Sequence, residues 1–188
     1  MKAKGKSRRV SQRDWLAAGL AALATEGPGG LRIERLARRL SVSRSGYYWH
    51  FQNREHFVKA LLAYWLDEFA QVVTRNKELL QAKPRRRLEL TAEMIDRYDL
   101  AGYDLAFRMW ALTEPLAARA VRQVNRARLD FLRQIFGELG FEGDDLEMRA
   151  VLFVCYHTWE RTMFRELSAQ RRRELCEHRL RLLLARAR

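Results

Sequence analysis

Apolar residues recur three and four positions apart along most of this 188-residue chain, a spacing that predicts helices throughout. No segment alternates apolar and polar residues for long enough to indicate a strand. Helix-breaking glycines and prolines divide the pattern into separate helices, and they lie at Gly27–Gly30, Lys83–Pro84, Pro115 and Gly140–Gly143. We therefore expect an all-α fold of about nine helices, at approximately 12–26, 31–40, 43–50, 54–81, 84–99, 104–113, 115–139, 144–168 and 170–186.

Positive charge is concentrated at the two ends of the chain. Residues 1–60 contain 13 Lys and Arg against 4 Asp and Glu, whereas residues 61–170 contain 16 against 17. The last segment, 171–188, is again basic, with 7 against 2. A basic folded segment beside a neutral body is typical of proteins that bind polyanions. Composition alone also allows a generally basic protein with no such partner.

Cysteine content and hydropathy favour a cytoplasmic protein without a membrane partner. Cys155 and Cys176 form neither a CxxC pair nor part of a disulfide framework, which fits a reducing compartment. The basic start followed by apolar Trp15–Ala24 resembles a secretory signal, but Asp14 interrupts the junction and the apolar run is only ten residues long. No run approaches the roughly 20 apolar residues that a membrane helix needs.

The predicted helices at 31–40 and 43–50, joined at Ser41–Val42, have the dimensions of a DNA-binding helix-turn-helix. The second helix of such a unit needs small or hydrogen-bonding side chains at its start, and Ser43–Gly46 provides them. The aromatic run Tyr47–Trp49 can also be read as core, and Arg44 as a solvated charge. However, Tyr48, Trp49 and His50 lie about 100° apart around a helix, so at least one of them must be exposed.

Three stretches resemble the signature of the tetracycline-repressor (TetR) family of regulators. They are Leu36-Ala37, the run from Val42 to Phe51 (VSRSGYYWHF), and Asn53-Arg54-Glu55. The resemblance implies a three-helix DNA-binding head with Tyr47 and Phe51 in its core. It also implies a set of DNA contacts: bases from Arg44 and Ser45, phosphates from Ser43, Tyr48, His50, Asn53 and Arg54, and phosphate or thymine-methyl packing from Trp49.

This chain departs from the family pattern at three positions of the head. Ser41 replaces the usual turn glycine, at a cost of about 1 kcal/mol if its backbone is left-handed. Arg32 stands where Thr or Ser usually caps the second helix, so a cap is lost but a cation able to reach phosphate is gained. Gln52 replaces a common lysine.

The resemblance divides the chain into a basic disordered arm at 1–10, a DNA-binding domain at 11–70 and a helical effector-binding and dimerisation domain at 71–188. The arm either follows DNA phosphates or enters the minor groove, or else it is a solubilising tail. Its cations are Lys2, Lys4, Lys6, Arg8 and Arg9.

Aromatic residues and a methionine in the C-terminal half are candidates for an effector cavity, although core packing is the alternative for each. They are Met94, Tyr98, Tyr103, Phe107, Trp110, Phe153, Tyr156, His157 and Trp159. Asp104 and Arg108 are four residues apart, which suggests a surface ion pair or, alternatively, a clamp for a polar ligand.

The last two predicted helices are apolar on several faces, which indicates a partner helix pair. We expect them to form a four-helix bundle with a second copy through Val151, Val154, Phe164, Leu175, Leu180 and Leu183. The resulting two-fold dimer would place two recognition helices about 34–36 Å apart, on a near-palindromic operator. A membrane-surface helix at 170–186 is the alternative.

We find no pattern for catalysis, a metal or a cofactor. The four histidines form no i, i+4 pair, and Asp104, Glu160 and His157 make no recognisable catalytic group. The function predicted is a dimeric repressor released by a small-molecule effector. A helical interaction protein that acts through protein contacts is the alternative.

Overall fold

A computed structural model describes residues 10–73, 76–98, 100–164 and 166–185, without the side chains of residues 68–73 and Arg161. The chain forms two compact units, Met1–Trp65 and Leu66–Arg188. The predicted DNA contacts of the arm lie outside these described parts. Within the described ranges no helix is both long and apolar enough to cross a membrane.

The first unit is built from α1 (Gln12–Glu26), α2 (Ile33–Arg39), α3 (Ser45–Tyr48) and the first part of α4 (Arg54–Val73). Ser11 begins α1 with a capping box, in which its Oγ accepts from the Asp14 N–H at 3.2 Å and its own N–H donates to the Asp14 carboxylate at 2.8 Å. The core is aromatic, with Trp15, Tyr47, Phe51 and Phe57 each 0–1% exposed. This core holds the short α3 in place.

The second unit contains α5 (Lys77–Gln81), α6 (Pro84–Arg97), α7 (Leu100–Ala111), α8 (Pro115–Glu138), α9 (Gly143–Met163) and α10 (Ala169–Leu184). Residues of α6, α8, α9 and α10 share one apolar cluster that includes Leu88, Ile135, Phe136, Phe153 and Leu183. A smaller cluster joins Leu79 of α5 to Leu90 and Met94 of α6.

The all-α prediction is confirmed, with ten α-helices over the described residues where about nine were expected. The extra one arises because the predicted helix at 54–81 is two helices. Asn76 starts α5 afresh, its side-chain oxygen accepting from the Leu79 N–H at 2.9 Å. Helix α9 ends at Met163, earlier than predicted, and Ser168 caps α10 by accepting from the Arg171 N–H at 3.1 Å.

Candidate nucleic-acid interface and effector cavity

The turn after α2 depends on a left-handed residue. Ser41 has φ +54°, the one non-glycine residue of positive φ in the described parts of the chain. The Ser41 N–H donates to the Arg38 carbonyl at 3.1 Å and the Val42 N–H to the Ala37 carbonyl at 3.0 Å. This pair of bonds is a Schellman motif, which normally has glycine at the left-handed position. The strain expected at Ser41 from the sequence is therefore present.

Replacing Ser41 with glycine should raise the free energy of unfolding by roughly 0.5–1 kcal/mol, since relief of the Cβ clash exceeds the entropy that glycine adds to the unfolded chain. Urea denaturation of the full chain measures this. Ser41→Val is the control, and it should lower stability because a β-branched side chain tolerates positive φ poorly. A less stable glycine variant would contradict this account of the turn.

Helix α3 is a single turn whose start differs from the predicted one. Ser43 does not cap it through its side chain; instead the Ser43 carbonyl accepts from the Gly46 N–H at 3.1 Å, and its Oγ shares a 2.7 Å hydrogen bond with Ser45 Oγ. Arg44 occupies the N-cap position in helical conformation. The two hydroxyls and the Arg44 guanidinium are exposed together at the start of the turn.

The aromatic run divides between core and surface. Tyr47 is 1% exposed and packs on Trp15 and Phe51, whereas Tyr48 is 61% exposed and Trp49 78% exposed. Burial raises the pKa of the Tyr47 phenol to about 12. A tyrosine and a tryptophan this exposed beside a basic segment are suited to a partner surface rather than to the protein's own interior.

The remaining predicted DNA contacts surround this surface. Asn53 and Arg54 are exposed at the start of α4, where Asn53 Oδ1 accepts from the His56 N–H at 2.8 Å and so caps the helix. His50 is half-buried, and its Nε2 lies 3.1 Å from the Val10 carbonyl oxygen. Arg32 is exposed at the N-cap of α2 and makes no side-chain cap.

One acidic residue that the sequence analysis did not single out lies against this surface. Glu34 of α2 accepts from the Arg44 guanidinium, Oε1 to Nη1, at 3.3 Å, and both side chains are more than half exposed. A hydrogen bond from its own backbone and the one from Arg44 hold the pKa of Glu34 below its usual value. Its position ten residues before Arg44 and on another helix gave no periodic signal.

Residues 16–61 match the sequence profile of the bacterial regulatory proteins of the tetR family. The matched segment includes α2, α3 and the exposed residues around them. This segment belongs to the tetR family of transcriptional regulators. A search of curated protein sequences gives no match.

Solved structures share the regulator's fold over nearly its whole length. A transcriptional regulator from Rhodococcus sp. Rha1 has a TM-score of 0.74 at 20% identity, covering 93% of this chain and 94% of that one. AibR, solved with isovaleryl coenzyme A and operator DNA, has a TM-score of 0.72 at 18% identity, covering 92% and 97%. BioQ of Mycobacterium smegmatis has 0.52 at 19%, covering 93% and 96%. At these identities the likeness concerns fold alone.

The second unit of the regulator contains a cavity of about 50 Å³ between α6, α7, α8 and α9. Of the nine residues predicted to line a pocket, Phe153 and His157 are on its walls. The others lie elsewhere: Phe107, Trp110 and Met94 are buried, Tyr103 and Tyr156 are half-buried, and Tyr98 and Trp159 are exposed. The rest of the wall is formed by Thr91, Ile95, Leu100, Ala101, Asp104, Arg128, Phe131, Leu132, Val154 and Thr158.

Asp104 is the centre of a buried polar network on the cavity wall. The predicted ion pair with Arg108 is present, but it is buried and not on the surface as expected. Asp104 is 2% exposed, and its carboxylate lies 2.8 Å from Arg108 Nε and 2.9 Å from Arg128 Nη1. Thr158 donates to it at 3.3 Å. Burial alone would raise the pKa of Asp104, but Arg128 and Arg108 outweigh burial and lower it. The sequence showed Arg108 but had no signal for Arg128, which comes from α8.

An exposed apolar stripe follows one face of α9. Its members are spaced at i, i+4, i+7, i+11 and i+15, and each is exposed: Met148, Leu152, Cys155, Trp159 and Met163. We define these five residues as the α9 stripe. On α10, Leu182 is also exposed, at 64%.

The predicted dimer residues differ from this stripe. Leu180 and Leu183 are each 8% exposed and belong to the regulator's own core, so these two assignments are corrected. Val154 is half-buried against the same cluster, and its place in an interface stays a prediction. Val151 and Leu175 are half-buried, and Phe164 is 41% exposed just after α9. The helices are apolar on two faces, and sequence periodicity could not tell the core face from the outer one.

No group of three His, Cys, Asp or Glu among the described residues is placed to hold a metal ion.

Proposed function

We propose that the regulator is a homodimeric, sequence-specific repressor that leaves its operator when a small molecule binds the second unit. The observation that carries this proposal is the exposed start of α3, where Ser43, Arg44 and Ser45 stand beside the solvated rings of Tyr48 and Trp49. In this assignment residues 11–70 bind DNA, and residues 71–188 dimerise and bind the effector.

Arg44 is the residue best suited to read a base. A guanidinium on a recognition helix can donate two hydrogen bonds to the O6 and N7 acceptors of guanine in the major groove. The Ser43 and Tyr48 hydroxyls, together with Arg54 and the first N–H groups of α4, are suited to phosphate oxygens, which fix the register of the helix on the duplex. Both kinds of contact are needed, because phosphate contacts alone carry no sequence information.

The α9 stripe supports a dimer. Leu152, Trp159 and Met163 are 43–70% exposed on one face of a 21-residue helix, although a soluble chain normally buries such a row. A second copy related by a two-fold axis can cover the same stripe with its own. The dimer doubles the recognition helices and predicts an operator with two half-sites about 10–10.5 base pairs apart, centre to centre.

An effector site in the second unit is supported by the cavity and by a relative. AibR, which shares the fold, was solved with both isovaleryl coenzyme A and operator DNA. In our proposal, a ligand that binds better to a conformation with mis-spaced recognition helices shifts the population away from the operator-bound state.

Arg44→Ala should weaken binding to a specific operator by roughly 5- to 150-fold, the effect of losing one bidentate base contact. The assay is a filter or mobility measurement on fragments around the regulator's own gene, with non-specific duplex as competitor. Arg119→Ala, which removes an exposed arginine of α8, is the matched control and should leave affinity unchanged.

The same comparison separates the proposal from the alternative, a helical protein acting through protein contacts. A wild-type chain with no salt-sensitive, sequence-selective DNA binding would contradict the proposal. A reporter gene placed behind the selected fragment then tests repression, with lower expression expected when the regulator is present.

Glu34→Gln should strengthen duplex binding by roughly two- to fivefold, because it removes a negative charge that faces phosphate and frees Arg44 from its intrachain partner. Dissociation constants at two salt concentrations measure this, and the gain should shrink at high salt. Unchanged or weaker binding would show that Glu34 helps to position Arg44 instead.

A further inference from the structure

A second, larger concave site adjoins the cavity. It is a groove of about 880 Å³ between α6, α9 and α10, with the beginning of α7 at one side. Ile95, Ala101 and His157 line both the groove and the small cavity. The two spaces therefore meet at these residues, one largely apolar and the other rich in charged side chains.

Two arginines of α10 in the groove lining, Arg172 and Arg179, have buried donors without a hydrogen-bond partner among the described residues. The Arg179 Nε and Nη1 and the Arg172 Nε are buried and have no hydrogen-bond partner among the residues that the structure describes. Arg173 and Arg181, on the same helix, are exposed members of the groove lining. Buried N–H groups of a cation are usually bonded in native proteins, so this end of the groove is suited to an anion.

Arg179 is held in one orientation by its neighbours. Its Nη2 lies 2.9 Å from His157 Nε2 and 3.1 Å from Cys176 Sγ, and its guanidinium stacks on the Tyr156 ring at 3.8 Å. The acid nearest to it, Glu160, has its carboxylate 3.9 Å from Nη1 and accepts from the Tyr156 hydroxyl at 3.2 Å. In this fixed guanidinium, Nε and Nη1 are the atoms that make no hydrogen bond to the described residues.

His157 stands at the junction as a neutral group. Its Nδ1 lies 2.8 Å from the Phe153 carbonyl, so Nδ1 carries the proton and Nε2 accepts from Arg179. Burial, followed by the charge of Arg179, lowers the pKa of His157 to about 3. The junction thus adds no second positive charge, and the ring between the groove and the cavity is uncharged.

Six arginines and five acids line the groove, and the acids are Glu89, Glu93, Asp96, Glu160 and Glu177. Glu89 and Glu93 pair with Arg85 and Arg86 at 2.7–3.4 Å. The unsatisfied donors are on the α10 side, where the cavity joins the groove. The cavity, at about 50 Å³, has room for a few water-sized groups, because one water needs about 10–15 Å³ of such volume.

We propose that the effector is an amphipathic anion, with a short acyl group in the cavity and a large phosphate-bearing head in the α10 arginine groove. This inference rests on the proposed effector-responsive function and names the chemical class of the ligand. Arg172 and Arg179 bind the head, and Ala101 and His157 flank the passage of the acyl group.

Titration calorimetry of the full chain without DNA tests the proposal, with butyryl coenzyme A, coenzyme A and butyrate as probes. Butyryl coenzyme A should bind once per chain and at least tenfold more tightly than either part alone. Octanoyl coenzyme A should bind more weakly than butyryl coenzyme A, because the cavity is short. No binding of butyryl coenzyme A, or equal binding of butyrate, would overturn the proposal.

Single substitutions test which residues bind the phosphate-bearing head and which bind the acyl group. Arg179→Ala should weaken butyryl coenzyme A binding at least tenfold, whereas the control Arg119→Ala should not. Ala101→Leu should leave coenzyme A binding intact and remove the advantage of the acyl group. If thermal melting shows that Arg179→Ala is unfolded, Arg172→Ala carries the same expectation. Unchanged ligand binding in a folded arginine variant would overturn the proposal.

Measuring operator binding separately distinguishes a failure of the proposed ligand class from a failure of the proposed DNA-binding function. A wild-type chain that binds its operator but none of the probes refutes the ligand class and leaves the DNA-binding function standing. Because Arg179 is far along the chain from the head, Arg179→Ala should still bind operator but should no longer be released by butyryl coenzyme A. Release that persists in this variant would contradict the assignment.

Discussion

Leu152→Glu is expected to convert the proposed dimer into 22.2 kDa monomers and to weaken operator binding by at least 100-fold. Leu152 is 51% exposed in the protomer, so a carboxylate there is solvated and should change protomer stability little. In a two-fold interface the same carboxylate would be buried and would approach its own symmetry mate. Desolvation and repulsion would together oppose association.

DNA affinity falls because the two DNA-binding heads of a monomerised variant are no longer joined. Once one head of a dimer is on its half-site, the second binds at a high effective concentration, which multiplies affinity by roughly 10²–10⁴. Sedimentation and mobility assays on the same preparation measure both effects. Leu80→Glu, which places the same charge at a 52% exposed position of α5, is the control and should remain dimeric. A dimeric Leu152→Glu variant would show that the α9 stripe is not the interface.

Asp104→Asn is expected to lower the free energy of unfolding by about 3 kcal/mol, because it leaves the Arg108 and Arg128 guanidinium groups without their shared counter-charge. Their side chains are only 19% and 17% exposed, so water compensates poorly. The control is Asp130→Asn, which breaks a 2.8 Å pair with Arg133 at a 60% exposed carboxylate. That exposed pair should be worth about 1 kcal/mol or less.

The pH dependence of the Asp104 effect has a defined sign. The folded-state pKa of Asp104 is lowered, so its stabilising contribution is complete above the unfolded value of about 3.9 and is lost as pH falls through the lower folded value. The difference between wild type and Asp104→Asn should therefore be constant from pH 8 to 5 and should shrink below about pH 4. Equal stability of the two proteins at pH 7 would contradict the importance of the network.

The head of the molecule was the part most accessible to sequence reasoning. Capping residues such as Ser11 and Asn53, and the left-handed turn at Ser41, depend on neighbours within four residues, and their local chemistry is visible in the sequence. The division of Tyr47 from Tyr48 and Trp49 was predictable for the same reason, since residues 100° apart cannot share one buried face.

The second unit was less predictable because its important contacts join distant segments. Arg128 reaches Asp104 from α8, and Arg179 reaches His157 across 22 residues, and neither pair has a characteristic spacing. Leu183 was assigned to the dimer although it packs inward, because α10 is apolar on two faces. Helical periodicity shows that a face is apolar but not which neighbour covers it.

Selection of binding sites from a random duplex library, with wild type and Arg44→Ala in parallel, tests the central claim most directly. The account predicts that wild type enriches a near-palindrome with half-sites about 10–10.5 base pairs apart, and that Arg44→Ala relaxes the preference at one symmetry-related base pair in each half-site. Enrichment of no sequence by wild type, or an identical motif from both proteins, would contradict it.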